Sequence, residues 1–229
     1  MAVSQYLEHL GIQIASGLVI NTSHINKFGY NPACNSSIET IWDSGGLYNY
    51  IETPGPATVA GASDTGAVVS VQGLDENYDF LTESISVGGT TTNNFIRVFR
   101  LRLESHPTAE VNSGDITVTV DGAVRATIVA GKGQSLMALY TIPRRTTGYL
   151  VKFQGSIEKN QEIIFKLFSR HIDNGVFNLK GQFGSFGTPI TYDYPVPLLF
   201  KEKTDIEVRA TAGGHAGAGA IFDLILVRN

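Results

Sequence analysis

The sequence of 229 residues is poor in cysteine and in charge. Its single cysteine, Cys34, excludes an internal disulfide and a cysteine-rich metal cluster. Charged residues make up 17% of the chain, where about a quarter is usual for globular proteins. No run of lysine or arginine could neutralise a row of phosphates, so we predict no nucleic-acid partner.

Long apolar runs are also missing. No stretch approaches the roughly 18 residues of a membrane span, so we predict no membrane partner. The apolar stretch from Leu10 to Ile20 is interrupted by Gln13 and Ser16, and no lysine or arginine precedes Lys27. A signal peptide would begin with such a charge. We therefore expect a protein that is kept, or assembled into something larger, in a reducing cytoplasm.

The sequence lacks residues that the motifs of common catalytic and metal sites require. Residues 131–135 resemble a phosphate loop, but the required upstream glycine is missing. Asp75 and Asp79 have the spacing of a calcium loop, yet Phe80 and Ser86 occupy the positions that need glycine and glutamate. The five histidines lie far apart in sequence. We predict no catalytic residue, no metal site and no cofactor, and hence a protein that is not an enzyme.

One pair of carboxylates, Asp205 and Glu207, alternates with the apolar residues Ile206 and Val208. Alternation of this kind places the two acidic side chains on one face of a strand. We predict that this face points outward and that both carboxylates are solvated.

Alternation with a period of two dominates the chain from residue 39 onward. Residues 81–87 and 115–120 are typical of strands, and Asp121-Gly122 predicts a two-residue hairpin turn. Short strands about ten residues apart favour a β-sandwich or jelly roll. We predict an all-β protein with an N-terminal arm (1–40), a first β-domain (41–131) and a second, jelly-roll-like β-sandwich (132–229).

The arm is too short and too broken by glycine to fold alone. We predict that it docks on a neighbouring subunit, with covering an edge of its own first domain as the alternative. The predicted interaction residues are Ile12, Ile14, Leu18, Val19, Ile20, Phe28, Tyr30 and Trp42. Trp42 and the nearby tyrosines form an aromatic cluster that could stack on sugars, but anchoring the chain across a sandwich is favoured.

Three stretches together resemble virion structural proteins of tailed bacteriophages common among marine viruses. Residues 26–32 and 39–48 resemble the opening of those proteins. Residues 70–75, 82–85 and 88–91 resemble their first β-domain, and segments between 136 and 227 resemble their second. The resemblance implies a virion component and transfers no active-site residue. Residues 181–187 depart from it and are interpreted as a loop peculiar to this protein.

We therefore hypothesise a capsid decoration or cement protein, a homo-oligomer and specifically a trimer, located in the virion after assembly in the host cytoplasm. Its expected partner is the major capsid protein or another virion protein. One alternative is a tail, adaptor or fibre-associated protein. Another is a carbohydrate-binding β-sandwich that reads a host glycan, and an enzyme ranks third.

Overall fold

The structure is a computed structural model that describes residues 10–229. Within this range it contains one short helix and sixteen strands, so the predicted all-β class is confirmed. The elements are α1 (Leu10–Ala15), β1 (Thr22–Cys34), β2 (Glu39–Thr40), β3 (Gly55–Ala60), β4 (Val68–Leu74), β5 (Phe80–Ser86), β6 (Thr90–Phe95), β7 (Arg97–Ser105), β8 (Ile116–Val120), β9 (Ala123–Ile128), β10 (Leu139–Thr141), β11 (Thr146–Ile157), β12 (Glu162–His171), β13 (Asn178–Phe186), β14 (Ile190–Phe200), β15 (Thr204–Ala212) and β16 (Ala216–Arg228). No helix among the described residues is long and apolar enough to cross a membrane.

Eight strands form a jelly roll. One sheet has the order β1-β16-β11-β14 and the other β10-β15-β12-β13, with every neighbouring pair antiparallel. Taken along the chain, these strands (β1, then β10 to β16) follow the eight-strand jelly-roll order, in which two sheets are joined by Greek-key connections. The jelly-roll prediction for the C-terminal half is therefore confirmed, with β1 as an unforeseen member.

The jelly-roll core lies between these two sheets. Phe153 on β11 and Phe165 on β12 meet across it with their ring centroids 5.9 Å apart, and both side chains are fully buried. Phe222 and Leu224 on β16 are buried beside them. Alternation along each strand supplies these inward side chains, as expected for two sheets packed face to face.

Part of the predicted N-terminal arm is a strand of the jelly roll. Residues 22–34 form β1, which pairs with β16 from Thr22 opposite Val227 to Cys34 opposite Ala216. The expectation that this part docks on a neighbour is wrong, because it is a strand of its own jelly roll. Residues 1–9, which belong to the same prediction, lie outside the described residues.

The remaining strands form a second β-unit inserted into the jelly roll. The chain leaves at Thr40, which pairs with Arg209, and returns at Leu139, which pairs with Glu207. Between these points, strands β3 to β9 form the sheets β6-β3-β8-β9 and β5-β4-β7. The strand pairing thus describes a jelly roll with an insertion between β2 and β10. Strand pairing does not itself set domain boundaries, so those at residues 41 and 131 stay predictions.

The inserted unit shares its core with the jelly roll. Val59, Val71 and Val118 from its two sheets belong to one continuous buried cluster that also contains Ile206 and Phe222. Its predicted Asp121-Gly122 turn joins β8 to β9, with φ of 53° and 71° at the two residues. Asp and Gly tolerate positive φ, which explains why the predicted two-residue turn is present.

Candidate interaction surfaces

Residues 10–20, here called the N-terminal segment, carry an exposed apolar surface. Ile14 on α1 is buried, but Leu10 and Ile12 are each 58% exposed. Leu18 and Ile20, which follow the helix, are 66% and 82% exposed. A six-residue helix is too short to be stable alone, so this segment depends on what it packs against.

The other predicted interaction residues lie elsewhere. Val19 is half-buried in the N-terminal segment, and Phe28 and Tyr30 are half-buried on β1. Trp42 is 6% exposed, packs edge-to-face on Tyr48 and donates from Nε1 to a backbone carbonyl 2.7 Å away. Its ring therefore has no face free for a sugar. The structure groups Ile12, Leu18 and Ile20 in one exposed segment and separates them from Trp42.

A second group of exposed apolar residues lies on β13 and β14. Residues 181–187 were interpreted as a loop, but they belong to β13 as far as Phe186. Each strand is the last in its sheet, so both have an unpaired outer edge. We call the exposed apolar side chains on these two strands the edge-strand residues: Leu179, Phe186, Tyr192, Val196 and Leu199. Their exposed fractions run from 44% to 80%, and they belong to two different sheets, since the residues of β13 pair with β12 and those of β14 with β11. Scattered exposed apolar residues are common, but five on two neighbouring edge strands are more than scatter.

The centre of β14 bulges away from its sheet. Leu150 pairs with Leu198, whereas Lys152 pairs with Asp193, so residues 194–197 lie opposite a single residue of β11. Pro195 and Pro197 flank Val196 in this bulge, and Val196 is 80% exposed. Prolines and bulges keep an edge strand from pairing with another strand. The bulge and its prolines therefore leave no regular backbone edge for another strand to pair with at residues 194–197.

The two edge strands meet at an aromatic row. Phe183 stacks on the core residue Phe153 at 4.6 Å, and Tyr192 lies 5.5 Å from Phe183 and 4.8 Å from Tyr194. The hydroxyl of Tyr194 is buried and has no hydrogen-bond partner within residues 10–229. Burial, followed by the nearby Tyr192, raises the pKa of Tyr194 to about 12. The row runs from the core to the surface, and half-exposed Tyr192 is its outer end.

A buried ionic cluster joins the inserted unit to the jelly roll. Asp205 on β15 is fully buried and accepts hydrogen bonds from Arg97 at 2.8 and 3.0 Å and from Arg170 at 2.6 and 3.1 Å. Thr141 donates to the same carboxylate at 2.7 Å. Burial works to lower the pKa of Arg97, but the Asp205 carboxylate outweighs it, and the net shift is upward.

Glu207, two residues further along β15, is fully buried as well. It accepts hydrogen bonds from Thr40, from Arg209 at 2.9 and 3.1 Å and from Tyr50 at 3.2 Å. The prediction that Asp205 and Glu207 are solvated is wrong. The alternation was read correctly, but residues of the inserted unit cover the outer face of β15. The cluster is a structural joint, since each carboxylate is already occupied by protein donors.

Asp43 lies at the same junction and is sensitive to pH. Its carboxylate is 9% exposed and accepts the backbone N–H of Leu136. Burial raises its pKa to about 7 from 3.8, against the lowering effects of that N–H and of Lys132, and Asp115 adds to the rise. The folded state therefore holds a proton that the unfolded state has lost between about pH 4 and pH 7.

We expect stability to fall as pH rises through this window, because the folded state binds the extra proton there. The slope from one such group is at most about 1.4 kcal/mol per pH unit. Asp43→Asn should flatten this part of the profile and raise stability at pH 8 by about 1–2 kcal/mol, since asparagine still accepts the Leu136 N–H. Urea unfolding between pH 4 and pH 8 measures this. Asp173→Asn, whose side chain is 79% exposed, is the control, and parallel curves for Asp43→Asn and wild type would contradict the assignment.

Among the described residues, no group of three or more His, Cys, Asp or Glu side chains could hold a metal ion.

No family model and no curated protein matches the chain. A chain in the structure of the infectious bursal disease virus Gt strain is 11% identical, covering 91% of this chain and 73% of that one, with a TM-score of 0.27. A lipoprotein from Bacteroides thetaiotaomicron is 12% identical, covering 90% and 95%, with a TM-score of 0.18. At these TM-scores neither likeness supports a conclusion about fold or function.

Proposed function

We propose that the protein is a non-enzymatic structural component of a virion, specifically a capsid decoration or cement protein that works as a homo-oligomer. The observation that carries the proposal is the group of exposed edge-strand residues at the open edge of a jelly roll. Contacts between subunits need area and apolar anchors rather than a reactive group. The two edge strands supply these with only two charged residues, Lys180 and Asp193, between residues 178 and 200.

The fold and the sequence resemblance support the same proposal. Jelly rolls occur in viral capsid and lectin domains, although a fold alone does not determine function. The resemblance to phage virion proteins includes residues 26–32, which form much of β1. The capsid role is preferred over the tail, adaptor or fibre alternatives because cementing needs apolar contact on more than one side of the subunit. The N-terminal segment and the edge-strand residues lie at opposite edges of the sheet β1-β16-β11-β14 and support two such contacts.

Particle binding tests the proposal. Purified protein is added to capsids that lack it, and binding and resistance of the capsid to heat are measured. We expect saturable binding in a fixed ratio to the major capsid protein and a higher disruption temperature, because a ligand of the assembled state stabilises that state. Absence of binding to capsids, with binding to tails instead, would contradict the decoration role and favour the alternative.

A glycan-binding role is the second candidate, and one observation favours it. Tyr192 is 44% exposed and lies beside Phe183, so its ring is the outer end of an aromatic row. Exposed aromatic rings can stack on sugars. Gel retardation on host polysaccharide with wild type and with Tyr192→Ala separates the roles. Retardation that Tyr192→Ala abolishes would support a lectin, whereas unchanged mobility of both proteins supports a purely structural surface.

A further inference from the structure

We propose that a cleft between the inserted unit and the jelly roll binds a small amphiphilic anion, a molecule with an apolar body and one carboxylate head. This goes beyond the structural role proposed above and does not depend on it. The cleft, here called the junction cleft, has a volume of about 530 Å³. Pockets for small molecules have about 300–1,000 Å³. Its walls come from β1, β16, the residues between β10 and β11, and the start of β5.

The floor of the junction cleft is apolar. Leu226 on β16 is buried and Ile25 on β1 is half-buried, and both lie on the inner face of their sheet. Tyr140 from the jelly roll and Phe80 from the inserted unit also line the cleft, and both pack on Phe99, with ring centroids 4.6 and 6.1 Å from it. Phe80 is nevertheless 57% exposed. An apolar ligand in the cleft would therefore remove aromatic surface from water, which favours binding.

The rim of the junction cleft is cationic. It carries the guanidinium groups of Arg144, Arg145 and Arg228 and the single carboxylate of Asp79. Arg145 donates to Asp79 at 3.2 Å, whereas Arg144 is 3.9 Å away from it. The nearby Glu202 carboxylate accepts the backbone N–H of Arg145 and not its guanidinium. Even with Glu202 counted, the positive charges exceed the negative ones, so the rim attracts an anion.

Backbone hydrogen bonds hold the cationic rim together. The N–H of Arg228 donates to the carbonyl of Asn21 at 2.8 Å, and the N–H of Asn229 donates to the carbonyl of Arg145 at the same distance. Arg228 is also the pairing partner of Thr146, the residue after Arg145. These contacts keep Arg145 and Arg228 at one mouth of the cleft, directly above the apolar floor.

Floor and rim together determine the class of ligand. A neutral apolar molecule would leave the arginines unused, and a polyanion would leave the floor empty. A guanidinium group offers paired N–H donors that match a carboxylate. Because Asp79 and Phe80 belong to the inserted unit whereas Leu226 and Arg228 belong to the jelly roll, a bound ligand would contact both units. We therefore expect the ligand to raise the melting temperature, since it binds the folded state alone.

Titration calorimetry with octanoate as the probe tests the proposal. We expect a Kd on the order of 0.1–1 mM, and a Kd about fourfold higher for each CH₂ removed in the series octanoate, heptanoate and hexanoate. Octylammonium has the same apolar body with a cationic head and should not bind. Acetate, which lacks the body, should bind at least about 100-fold more weakly. Octanoate affinity should fall as salt is raised, because salt screens the head group from the exposed arginines.

Asp79→Asn distinguishes a binding rim from a merely structural one. The substitution releases Arg144 and Arg145 from their competing carboxylate, and Asp79 is 40% exposed. We expect octanoate to bind about three- to tenfold more tightly to this variant. The double variant Arg144→Gln and Arg228→Gln should bind octanoate at least about tenfold more weakly. Arg102→Gln, at an arginine of 55% exposure outside the cleft, is the control and should bind like wild type.

Phe80→Ser tests the apolar floor. It should weaken octanoate binding at least about fivefold, because the ligand loses its aromatic contact. The matched control is Phe186→Ser, which removes a phenylalanine of 62% exposure from β13, outside the cleft, and should leave the Kd unchanged. All substituted side chains are largely exposed, and circular dichroism checks that each variant is folded.

The inference would be overturned by any of three results. The first is neither heat nor a higher melting temperature with octanoate at about 10 mM, well above the expected Kd. The second is octylammonium binding as tightly as octanoate. The third is an octanoate Kd that Phe186→Ser raises as much as Phe80→Ser does, or that neither Asp79→Asn nor the double arginine variant changes.

Discussion

Replacing Asp205 with alanine is expected to lower the free energy of unfolding by about 3–5 kcal/mol. The carboxylate is fully buried and holds two arginines, and Arg97 is itself only 3% exposed. Without Asp205, the Arg97 guanidinium would remain buried without a counter-charge, and the remaining contacts to the Ile51 and Ile96 carbonyls could not replace it. Losing one partner of a buried ion pair is costly for this reason.

Urea unfolding of the purified variant measures this change. The matched control is Arg102→Ala, which removes an exposed ion pair to Glu104 with a 3.9 Å separation. That pair should contribute no more than about 0.5 kcal/mol. A double variant, Asp205→Leu with Arg97→Met, should recover part of the loss because it removes the two most deeply buried charges together and leaves only the more exposed Arg170 unpaired. Equal stability of Asp205→Ala and Arg102→Ala would show that the cluster is not a joint.

The joint explains why the two β-units are expected to act as one body. Asp205 and Glu207 belong to the jelly roll, whereas Arg97 and Tyr50 belong to the insertion, and Arg97 lies 5.1 Å from the Tyr50 ring centroid. Buried charges also specify one arrangement of the units, since a sliding interface would leave them unpaired.

Local alternation predicted a large part of the fold. Residues 81–87 match β5 and residues 115–120 match β8 within one residue at each end, and the turn at Asp121-Gly122 is present. These elements can be predicted from the sequence because alternation and turn residues are patterns among residues that are close together in the chain. Strand number and spacing favoured a β-sandwich or jelly roll, and the strand order in the structure shows the jelly roll.

Pairings between distant residues could not be predicted. The face of β1 that is buried carries Lys27, Gly29 and Asn31, so its sequence shows no apolar alternation. Its pairing with β16 joins residues about 200 positions apart, and no local signal encodes that. The burial of Asp205 could not be predicted for a related reason. Alternation reveals which side chains share a face of a strand, but not whether another unit covers that face.

The edge-strand residues were missed although a signal existed. Residues 178–200 contain only two charges. Two prolines in such a stretch are typical of an edge strand. The predicted arm residues Ile12, Leu18 and Ile20 are exposed in the structure, and their role as interaction residues stays a prediction.

Gly29→Ala is expected to be as damaging as the loss of Asp205, for a steric reason. A Cβ atom at Gly29 would lie 2.2 Å from the backbone nitrogen of Ala138 and 2.2 Å from the backbone oxygen of Ile41. These two atoms hydrogen-bond to each other at 2.9 Å, at the point where the chain leaves and re-enters the jelly roll. Neither can move without separating the insertion from β1.

We therefore expect Gly29→Ala to lower the free energy of unfolding by at least about 3 kcal/mol, the upper end of the usual cost of overpacking. Thermal and urea unfolding measure the loss. Gly184→Ala on β13 is the matched control, because its added Cβ would have its nearest neighbour at 4.0 Å. That change should be neutral or stabilise by up to about 1 kcal/mol, since alanine restricts the unfolded chain. A Gly29→Ala protein as stable as the Gly184→Ala protein would show that the crossing at Ala138 and Ile41 is looser than the structure indicates, and that the two units are not held in register there.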